Sequence, residues 1–452
     1  MRITILCVAL FAVSATSLFA GGQLDTTFGQ SGIAEFDTVQ TYSNGDEFTG
    51  WVHHVVRTSF GYYYVIGTNY RSDPLSYDLA YAQVYLRRHK PDGSLDTSWG
   101  YQGNAVISPI FRSRPAGSAV DMAVDRGGSI YVLGNTKQNG NDCATIWRFT
   151  ADGMLDSSFD SDGIRPLCTN GSSTRVPYFG HLELTSKLVL NYYETTNVLQ
   201  QDGSYKQVSS AYLARYNTNG TIDAAFGSNG RVKISTDESQ GGSMQVDVSG
   251  KIYTSGRFHT QSSGDYLRIF RFTANGAVDP SFQTISRPVG STVCTGTLGE
   301  IASISLDSNG GLIAGLLTVD TNQALIYRTG FARYDSNGAL DLGWSQQSSG
   351  VQCDETAYIV TQPVGYAYPL SAIQSDGKLL TVAFDTQYPN FKRRGTSGAI
   401  DFMFQPSYGS GLTAPLDLLV QSADSKVIVV SAKLDASKAI PVVGYKLLRF
   451  LQ

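Results

Sequence analysis

The chain has 452 residues, of which 42% are hydrophobic and 16% are charged, a balance that permits a large hydrophobic core and excludes a disordered protein. Its 34 Lys and Arg residues face 38 Asp and Glu residues, so the net charge is -4, and no Lys/Arg-rich block occurs. We therefore expect no nucleic-acid partner. The 47 glycines and the aromatic content of 11% favour short strands joined by tight turns, which predicts a mostly-β protein.

The N-terminal residues have the layout of a secretory signal peptide. Arg2 precedes an apolar run, and small residues follow it. Cleavage is expected after Ala20 or, alternatively, after Ser17. We predict a signal peptide over residues 1–20, one domain over residues 21–452, and export to the periplasm or the extracellular space. No later apolar stretch approaches the roughly 18 residues that span a bilayer, so we expect no transmembrane segment.

A segment with the pattern Gly-x-aliphatic-Asp-x-x-aromatic recurs along the chain. Its seven copies are about 63 residues apart on average, a regularity typical of repeat architectures. The aspartates of this pattern are Asp25, Asp96, Asp156, Asp223, Asp279, Asp341 and Asp401.

An arginine in a strand-like run lies eight residues before each aspartate except the first. A further arginine near the C-terminus has no aspartate after it, so it complements Asp25 at the other end of the chain. The C-terminal strand is therefore expected to pair with Gly32–Asp37 and close a ring. The arginines are Arg88, Arg148, Arg215, Arg271, Arg333, Arg393 and Arg449.

A turn followed by a β-rich run also occurs seven times, so each unit is predicted to contain four short strands. In the second unit these are about Ser118–Asp125, Ser129–Gly134, Cys143–Thr150 and Gly163–Leu167. Four-stranded units in a closed ring are β-propeller blades. The predicted fold is an all-β, seven-bladed β-propeller whose ring is closed by the terminal segments, which leaves no open edge.

The signature Arg-Tyr-x-x-x-Gly-x-Leu-Asp-x-x-Phe-Gly, with an Asp-Gly-Lys turn about 35 residues later, resembles the delta-60 repeat family. This resemblance covers essentially the whole chain after the signal peptide, and it implies a bacterial exported β-propeller. It implies no activity, because no catalytic or ligand motif comes with it. The chain departs from the pattern at Lys392-Arg393-Arg394 and at Ser186-Lys187, where the turn glycine is missing.

The repeated aspartates invite a catalytic or calcium-binding interpretation, but a catalytic acid is needed once, whereas a carboxylate that fixes a turn is needed in every blade. We therefore expect turn capping or arginine pairing. Asp160-Ser-Asp162-Gly163 lacks the acidic residue that would end a calcium loop. The five histidines are scattered, and His53 and His54 point to opposite faces of a strand. We expect no metal, no cofactor and no catalytic nucleophile.

Four cysteines follow the signal peptide, and an even number in an oxidising compartment favours two disulfides. Cys143 and Cys168 fall in one predicted blade, whereas Cys294 and Cys353 are expected to follow the last strands of adjacent blades. The predicted pairs are Cys143–Cys168 and Cys294–Cys353.

The favoured function is a non-enzymatic binding or scaffold module, because every repeated polar residue has a structural role. Its partner is expected to be a protein, a glycan or an envelope component. The alternative is a polysaccharide hydrolase or lyase with its site on one face. Long connections between the second and third strands mark the expected recognition face, and the protein is expected to be a monomer. The candidate ligand-binding residues are Tyr70, Arg71, Asp73, Tyr77, Asp78, Glu194 and Tyr205.

Overall fold

The computed structural model describes residues 21–451 apart from 38–39, 42–46, 73–78, 113–118, 139–140, 169–172, 178–179, 261, 295, 320–325, 345–349, 360–369, 385–388, 408–414, 421–425 and 435–441. The described residues form β-strands joined by turns, without a helix. The predicted signal peptide lies outside them.

Two short strands, β1 (Gly21–Gln23) and β2 (Ile33–Asp37), come first. Blade 1 consists of β3 (Gln40–Thr41), β4 (Glu47–Arg57), β5 (Tyr63–Ser72), β6 (Leu79–His89) and β7 (Asn104–Arg112). Blade 2 consists of β8 (Ala119–Val124), β9 (Ile130–Gln138), β10 (Asn141–Phe149) and β11 (Ile164–Pro166). Blade 3 consists of β12 (Ser173–Arg175), β13 (Leu182–Leu184), β14 (Leu188–Leu199), β15 (Tyr205–Tyr216) and β16 (Arg231–Lys233).

Blade 4 consists of β17 (Glu238–Val246), β18 (Ile252–Thr260), β19 (Gly264–Phe272) and β20 (Ile285–Pro288). Blade 5 consists of β21 (Thr292–Val293), β22 (Gly296–Leu306), β23 (Leu312–Val319), β24 (Ile326–Tyr334) and β25 (Val351–Ile359). Blade 6 contains β26 (Leu370–Ile373), β27 (Leu379–Phe384) and β28 (Pro389–Arg394), followed by β29 (Phe404–Ser407). Blade 7 contains β30 (Pro415–Val420), β31 (Val427–Leu434) and β32 (Val442–Phe450).

The two ends of the chain close the ring. Strand β2 pairs antiparallel with β32, from Ile33 opposite Leu448 to Asp37 opposite Gly444, and so becomes the last strand of blade 7. The predicted seven-bladed propeller and its closure by the terminal segments are therefore confirmed.

In each blade, the strand that precedes the central hairpin contacts the corresponding strand of a neighbouring blade, and these strands surround the propeller axis. We call β4, β8, β13, β17, β22, β26 and β30 the inner strands. Large apolar side chains fill the spaces between blades, as in the cluster that joins Trp99 and Tyr64 of blade 1 to Trp147 of blade 2. Each blade thus buries both faces of its sheet against its neighbours.

Blade 6 differs from the expected four-stranded unit. Strand β29 occupies the position of its fourth strand, but it pairs in parallel with the N-terminal β1, where Gly21 lies opposite Phe404. In the described part of the chain, the sheet of this blade has three strands. The N-terminus therefore contacts two blades, because β1 joins blade 6 while β2 completes blade 7.

Both predicted disulfides are present, with Cα atoms 5.0 Å apart for Cys143–Cys168 and 5.2 Å apart for Cys294–Cys353. Cys294 follows β20, the last strand of blade 4, as expected, and lies between β21 and β22 of blade 5. The expectation was wrong for Cys353, which lies within β25, the last strand of blade 5, and not after it. Gly330 of β24 leaves room for this bridge, since a Cβ atom there would lie 2.7 Å from the Cys294 Sγ.

Candidate functional site

The repeated aspartates and arginines form ion pairs within the blades. Each aspartate pairs with the arginine eight residues before it, and Asp25 pairs with Arg449, at nitrogen to oxygen distances from 2.7 to 3.7 Å. The backbone N–H of Asp279 also donates to the carbonyl of Arg271 at 2.9 Å, and the other repeats have the same bond. Each pair therefore fixes the turn that follows the third strand of its blade.

Several of these arginines also reach the next blade, as Arg271 does when it donates to the carbonyl oxygen of Ser336 at 2.6 Å. The pKa of Asp279 is lowered, first by the hydroxyl of Ser281 and then, against the opposing effect of burial, by Lys251 and Arg271. Carboxylates with this many partners hold the scaffold together. They are poorly placed to bind a ligand or transfer a proton.

A different set of polar residues lies on the axis. We call the residue three positions before the end of each inner strand the axial position, because four of these residues contact one another across neighbouring blades. The space that the inner strands surround is called the axial channel. The pairings of the inner strands with their neighbours identify the same position in each blade. From blade 7 onward, the axial residues are Asp417, His54, Asp121, His181, Ser243, Ser303 and Leu370.

Four of the axial residues form a continuous chain of contacts across four blades. His54 Nδ1 lies 2.9 Å from Asp417 Oδ2, and His54 Nε2 lies 3.3 Å from Asp121 Oδ1. Asp121 Oδ2 then lies 3.2 Å from His181 Nδ1. Alternating carboxylates and imidazoles thus connect blades 7, 1, 2 and 3 on one side of the axis.

The two axial carboxylates also accept backbone N–H groups. Asp121 accepts those of Met122 and Leu182, both at 2.8 Å. Asp417 accepts those of Val55 at 2.7 Å and Leu418 at 2.8 Å. Because Leu182 and Val55 belong to the next blade in each case, these carboxylates bind adjacent inner strands together, and their lone pairs are largely committed.

The charges of these four axial residues stabilise one another. Burial disfavours the cationic form of His54, but Asp121 and Asp417 outweigh it and raise the pKa of His54 to about 10. Burial also disfavours the cationic form of His181, but Asp121 outweighs burial and raises the pKa of His181. The pKa of Asp121 is lowered, because its two histidine neighbours and the N–H of Leu182 outweigh its burial. His54 is therefore a cation near neutral pH, and the cationic form of His181 is favoured relative to a free imidazole.

His181 and Glu183 both have side-chain polar atoms without a hydrogen-bond partner among the described residues. Of the two ring nitrogens of His181, Nδ1 has a partner there and Nε2 has none, and 32% of the side chain is exposed. Glu183 lies two residues further on, and no hydrogen bond to its carboxylate occurs in the described part of the chain. Burial raises the pKa of Glu183 to about 7, although the charge of His181 opposes this rise. The wall of the axial channel therefore offers one open N–H donor and one open carboxylate.

The other side of the axis carries hydroxyl groups. Ser243 Oγ accepts the backbone N–H of Ile304 at 3.2 Å, so it joins blades 4 and 5 as the axial aspartates join their neighbours. Ser303 Oγ lies 3.0 Å from Ser371 Oγ, which joins blades 5 and 6. The channel is thus charged on one side and neutral on the other.

Two of the ligand-binding residues predicted from the sequence, Glu194 and Tyr205, lie away from the axis. Glu194 is in β14 and pairs with Arg231 at 3.5 Å, whereas Tyr205 begins β15 and is 70% exposed. Tyr70 and Arg71 lie in β5, and their side chains are not described. Asp73, Tyr77 and Asp78 lie outside the described residues.

The axial residues were missed because their identities differ from blade to blade. A search for recurring letters finds the aspartates and arginines, but not a position occupied by Asp, His, Ser or Leu. The available signal was the offset from the turn after the inner strand: Asp121, Ser243 and Ser303 each lie four residues before a turn aspartate, at Asp125, Asp247 and Asp307. Aligning the repeats on that turn would have brought the axial residues together.

The described residues contain no group of three or more His, Cys, Asp or Glu side chains arranged to hold a metal ion. They also contain no helix long and apolar enough to cross a membrane.

The repeats match those of known β-propellers. The family described as "Domain of unknown function (DUF5122) beta-propeller" matches residues 128–159, 202–226 and 249–282, which lie in blades 2, 3 and 4. These segments are therefore β-propeller repeats. No curated protein sequence matches the chain significantly.

Solved structures with a related arrangement include several enzymes. The polysaccharide lyase Uly1 is 10% identical, with 96% of this chain and 97% of that chain covered and a TM-score of 0.47. A PL25 ulvan lyase bound to -[GlcA(1-4)Rha3S]- is 9% identical, with 84% and 95% covered and a TM-score of 0.42. Prolyl oligopeptidase B from Galerina marginata is 10% identical, with 85% and 47% covered and a TM-score of 0.43. Similarities this weak carry no argument about activity.

Proposed function

We propose that this protein is an exported β-propeller that binds a glycan in its axial channel, with His181 and Glu183 as the principal polar contacts. The observation that carries the proposal is the Glu183 carboxylate, which is half-buried beside the charged axial residues and has no hydrogen-bond partner among the described residues. Burial raises its pKa to about 7. A carboxylate whose oxygens have no protein partner can accept hydrogen bonds from a ligand.

The chemistry of the pair suits a hydroxyl-rich ligand. Asp121 favours the cationic form of His181, whose Nε2 offers an N–H donor, while Glu183 offers acceptor oxygens. Residues two apart on an extended strand face the same side, roughly 6 to 7 Å apart along the chain. Sugar hydroxyls both donate and accept hydrogen bonds, so neighbouring hydroxyls of a glycan can satisfy both groups at once.

The extended β14–β15 hairpin belongs to the same blade as His181 and Glu183. Its end exposes Leu199 and Tyr205, which lie opposite one another in the hairpin and are 61% and 70% exposed. Exposed aromatic side chains of this kind suit contact with a glycan or protein. We propose this hairpin, together with the candidate residues near the end of β5, as an outer contact surface.

A second function is favoured by the pKa of Glu183. A carboxylic acid that titrates near pH 7 is suited to general acid or base catalysis, so a glycan-cleaving enzyme is the alternative. In that case Glu183 would exchange the proton and His181 would stabilise negative charge on the substrate. The carboxylates of Asp121 and Asp417, which already accept several hydrogen bonds, would hold Glu183 and His181 in place and would not react.

The test is calorimetric titration of neutral, amino-sugar and uronate oligosaccharides into wild-type protein, Glu183→Gln and an exposed control, Asp152→Asn, at a turn position that is asparagine in blades 3, 4 and 5. We expect a member of this panel to bind the wild type and the control, and to bind Glu183→Gln at least tenfold more weakly. Product analysis of the same mixtures distinguishes binding from cleavage. Equal affinity for wild type and Glu183→Gln, or no binding by any oligosaccharide, would contradict the proposal.

A further inference from the structure

Blade 1 departs from the other six blades at the end of its inner strand. The last residue of β4 is Arg57, which lies opposite Tyr63, the first residue of β5. In every other blade, the residue at this position is aliphatic and the residue opposite is aliphatic as well. The six counterparts of Arg57 are Val124, Leu184, Val246, Leu306, Ile373 and Val420.

Arg57 has few partners of its own. Its Nε is buried without a hydrogen-bond partner, and its guanidinium lies 6.0 Å from the centre of the Tyr63 ring. It forms no ion pair with a carboxylate in the described part of the chain, unlike the repeat arginines. The packing of the blades therefore does not account for an arginine at this otherwise aliphatic position.

Arg57 lines a groove of about 320 Å³ between the turns of blades 1 and 2. Arg126 lies on the opposite wall and is exposed, and the Phe60 ring, 76% exposed, lies at the edge. Asp125 also lines the groove, but its Oδ1 is engaged by the backbone N–H of Ser129 at 2.8 Å. Small-molecule sites have volumes from roughly 300 Å³ upward, so the groove has room for one small ligand unit.

The aromatic residues of this groove are also specific to blade 1. Phe60 corresponds to Gly127 in blade 2 and to Ser249 in blade 4. Tyr62 takes the place of Lys251, which pairs with the repeat aspartate of its own blade at 3.0 Å. Instead of a lysine beside its repeat pair, blade 1 has the Tyr62 ring 4.7 Å below the Arg88 guanidinium.

The site combines unpaired positive charge with an exposed ring face. Arg88 is neutralised by Asp96 at 2.7 Å, whereas Arg57 and Arg126 have no such partner among the described residues. Guanidinium groups bind planar or tetrahedral oxyanions through paired N–H donors. An aromatic ring offers a flat apolar surface against which the C–H face of a sugar ring can pack.

We propose that this groove is a second ligand site that binds a sugar unit carrying a carboxylate or a sulfate. Arg57 and Arg126 contact the anionic group, and Phe60 packs against the ring. The site is separate from the axial channel, because its residues lie on the turns that follow the inner strands. It also does not depend on the function proposed for His181 and Glu183.

The experiment measures binding of digalacturonate, galactose 6-sulfate and uncharged cellobiose by calorimetry at low salt. The key variant is Arg57→Val, which introduces the residue found at this position in blades 2, 4 and 7. We expect at least one acidic sugar to bind, cellobiose not to bind, and Arg57→Val to weaken binding at least tenfold. Because the other blades fold with an aliphatic residue there, the melting temperature of this variant should be unchanged or higher.

A matched control makes the result specific. Arg257→Gln removes an exposed arginine of blade 4 and should leave binding unchanged. Binding of only the carboxylated or only the sulfated sugar supports the proposal and identifies the anion. No binding of either acidic sugar, equal binding by Arg57→Val, or tighter binding of a poly-glutamate peptide than of both sugars would overturn it.

Discussion

Replacing Asp121 with asparagine tests the charged chain on the axis. The side chain of Asp121 is 5% exposed and lies between two histidine side chains, His54 and His181, at 3.3 and 3.2 Å. Asparagine has nearly the same shape but no charge, and its amide N–H₂ group replaces one of the two acceptor oxygens. Asp121→Asn therefore leaves two imidazolium groups without a shared counter-ion and places N–H donors against one another.

The magnitude follows from the burial of this group. Removing one partner of a buried ion pair costs roughly 3 to 5 kcal/mol. Unfolding entropy is about 2.1 cal/mol/K per residue, or roughly 0.9 kcal/mol/K for about 430 folded residues. We therefore expect Asp121→Asn to melt about 3 to 6 °C below the wild type near pH 6.5, by scanning calorimetry.

The dependence on pH gives a more specific signature. The pKa of His54 is raised to about 10 in the folded protein, against about 6.5 in an unfolded chain. Its stabilising effect is therefore complete below about pH 6.5 and is lost as the pH rises to 10. Since His54 becomes neutral in both proteins, the difference in melting temperature between wild type and Asp121→Asn should shrink over this interval.

The control is Asp202→Asn, which changes an exposed turn at the end of the β14–β15 hairpin and should melt like the wild type. A difference between wild type and Asp121→Asn that is absent at pH 6.5, or that widens towards pH 10, would refute the role given to this carboxylate.

Three further outcomes are expected. Deleting Leu447–Gln452 removes the partners of Ile33 and Ala34 in β2 and the Arg449 partner of Asp25, so the truncated protein should aggregate; a soluble monomer with unchanged melting temperature, by light scattering and calorimetry, would refute the ring closure. Arg271→Met removes the Asp279 partner at 2.8 Å but leaves Lys251 at 3.0 Å, so it should cost roughly 1.5 to 3 kcal/mol in urea unfolding, as expected for hydrogen bonds to a charged group; a loss below about 1 kcal/mol would contradict this. Gly330→Ala places a Cβ atom 2.7 Å from Cys294 Sγ, so free thiols should increase on labelling, and full disulfide formation at wild-type stability would argue against the close contact.

The fold could be predicted from the sequence because the constraints that define a blade repeat in every copy. Asp279 and Arg271 recur at a fixed offset since each blade needs the same turn after its third strand. The unmatched Arg449 at one end and Asp25 at the other predicted the closure of the ring. The parallel pairing of β1 with β29 carried no such signal, because it occurs once and involves backbone groups of residues without a distinctive pattern.

The candidate site could not be predicted in the same way. His54, Asp121 and His181 are far apart in the sequence, and a single histidine in a strand is most often structural. Their contacts arise only when neighbouring inner strands are brought around one axis. Glu183 is recognisable only from its surroundings, because its lack of a hydrogen-bond partner and its raised pKa depend on burial. The predicted residues Glu194 and Tyr205 lie instead in the β14–β15 hairpin. The sequence indicates this hairpin because the connection between its strands is longer than in other blades.

The most direct measurement is a crystal structure of the protein soaked with the oligosaccharide that binds most tightly in the calorimetric panel. The expected result is a sugar in the axial channel with hydroxyl groups within about 3.2 Å of His181 Nε2 and of the Glu183 carboxylate. An oligosaccharide bound only on the outer hairpin or between the turns of blades 1 and 2, with the axial channel empty, would contradict the proposed function.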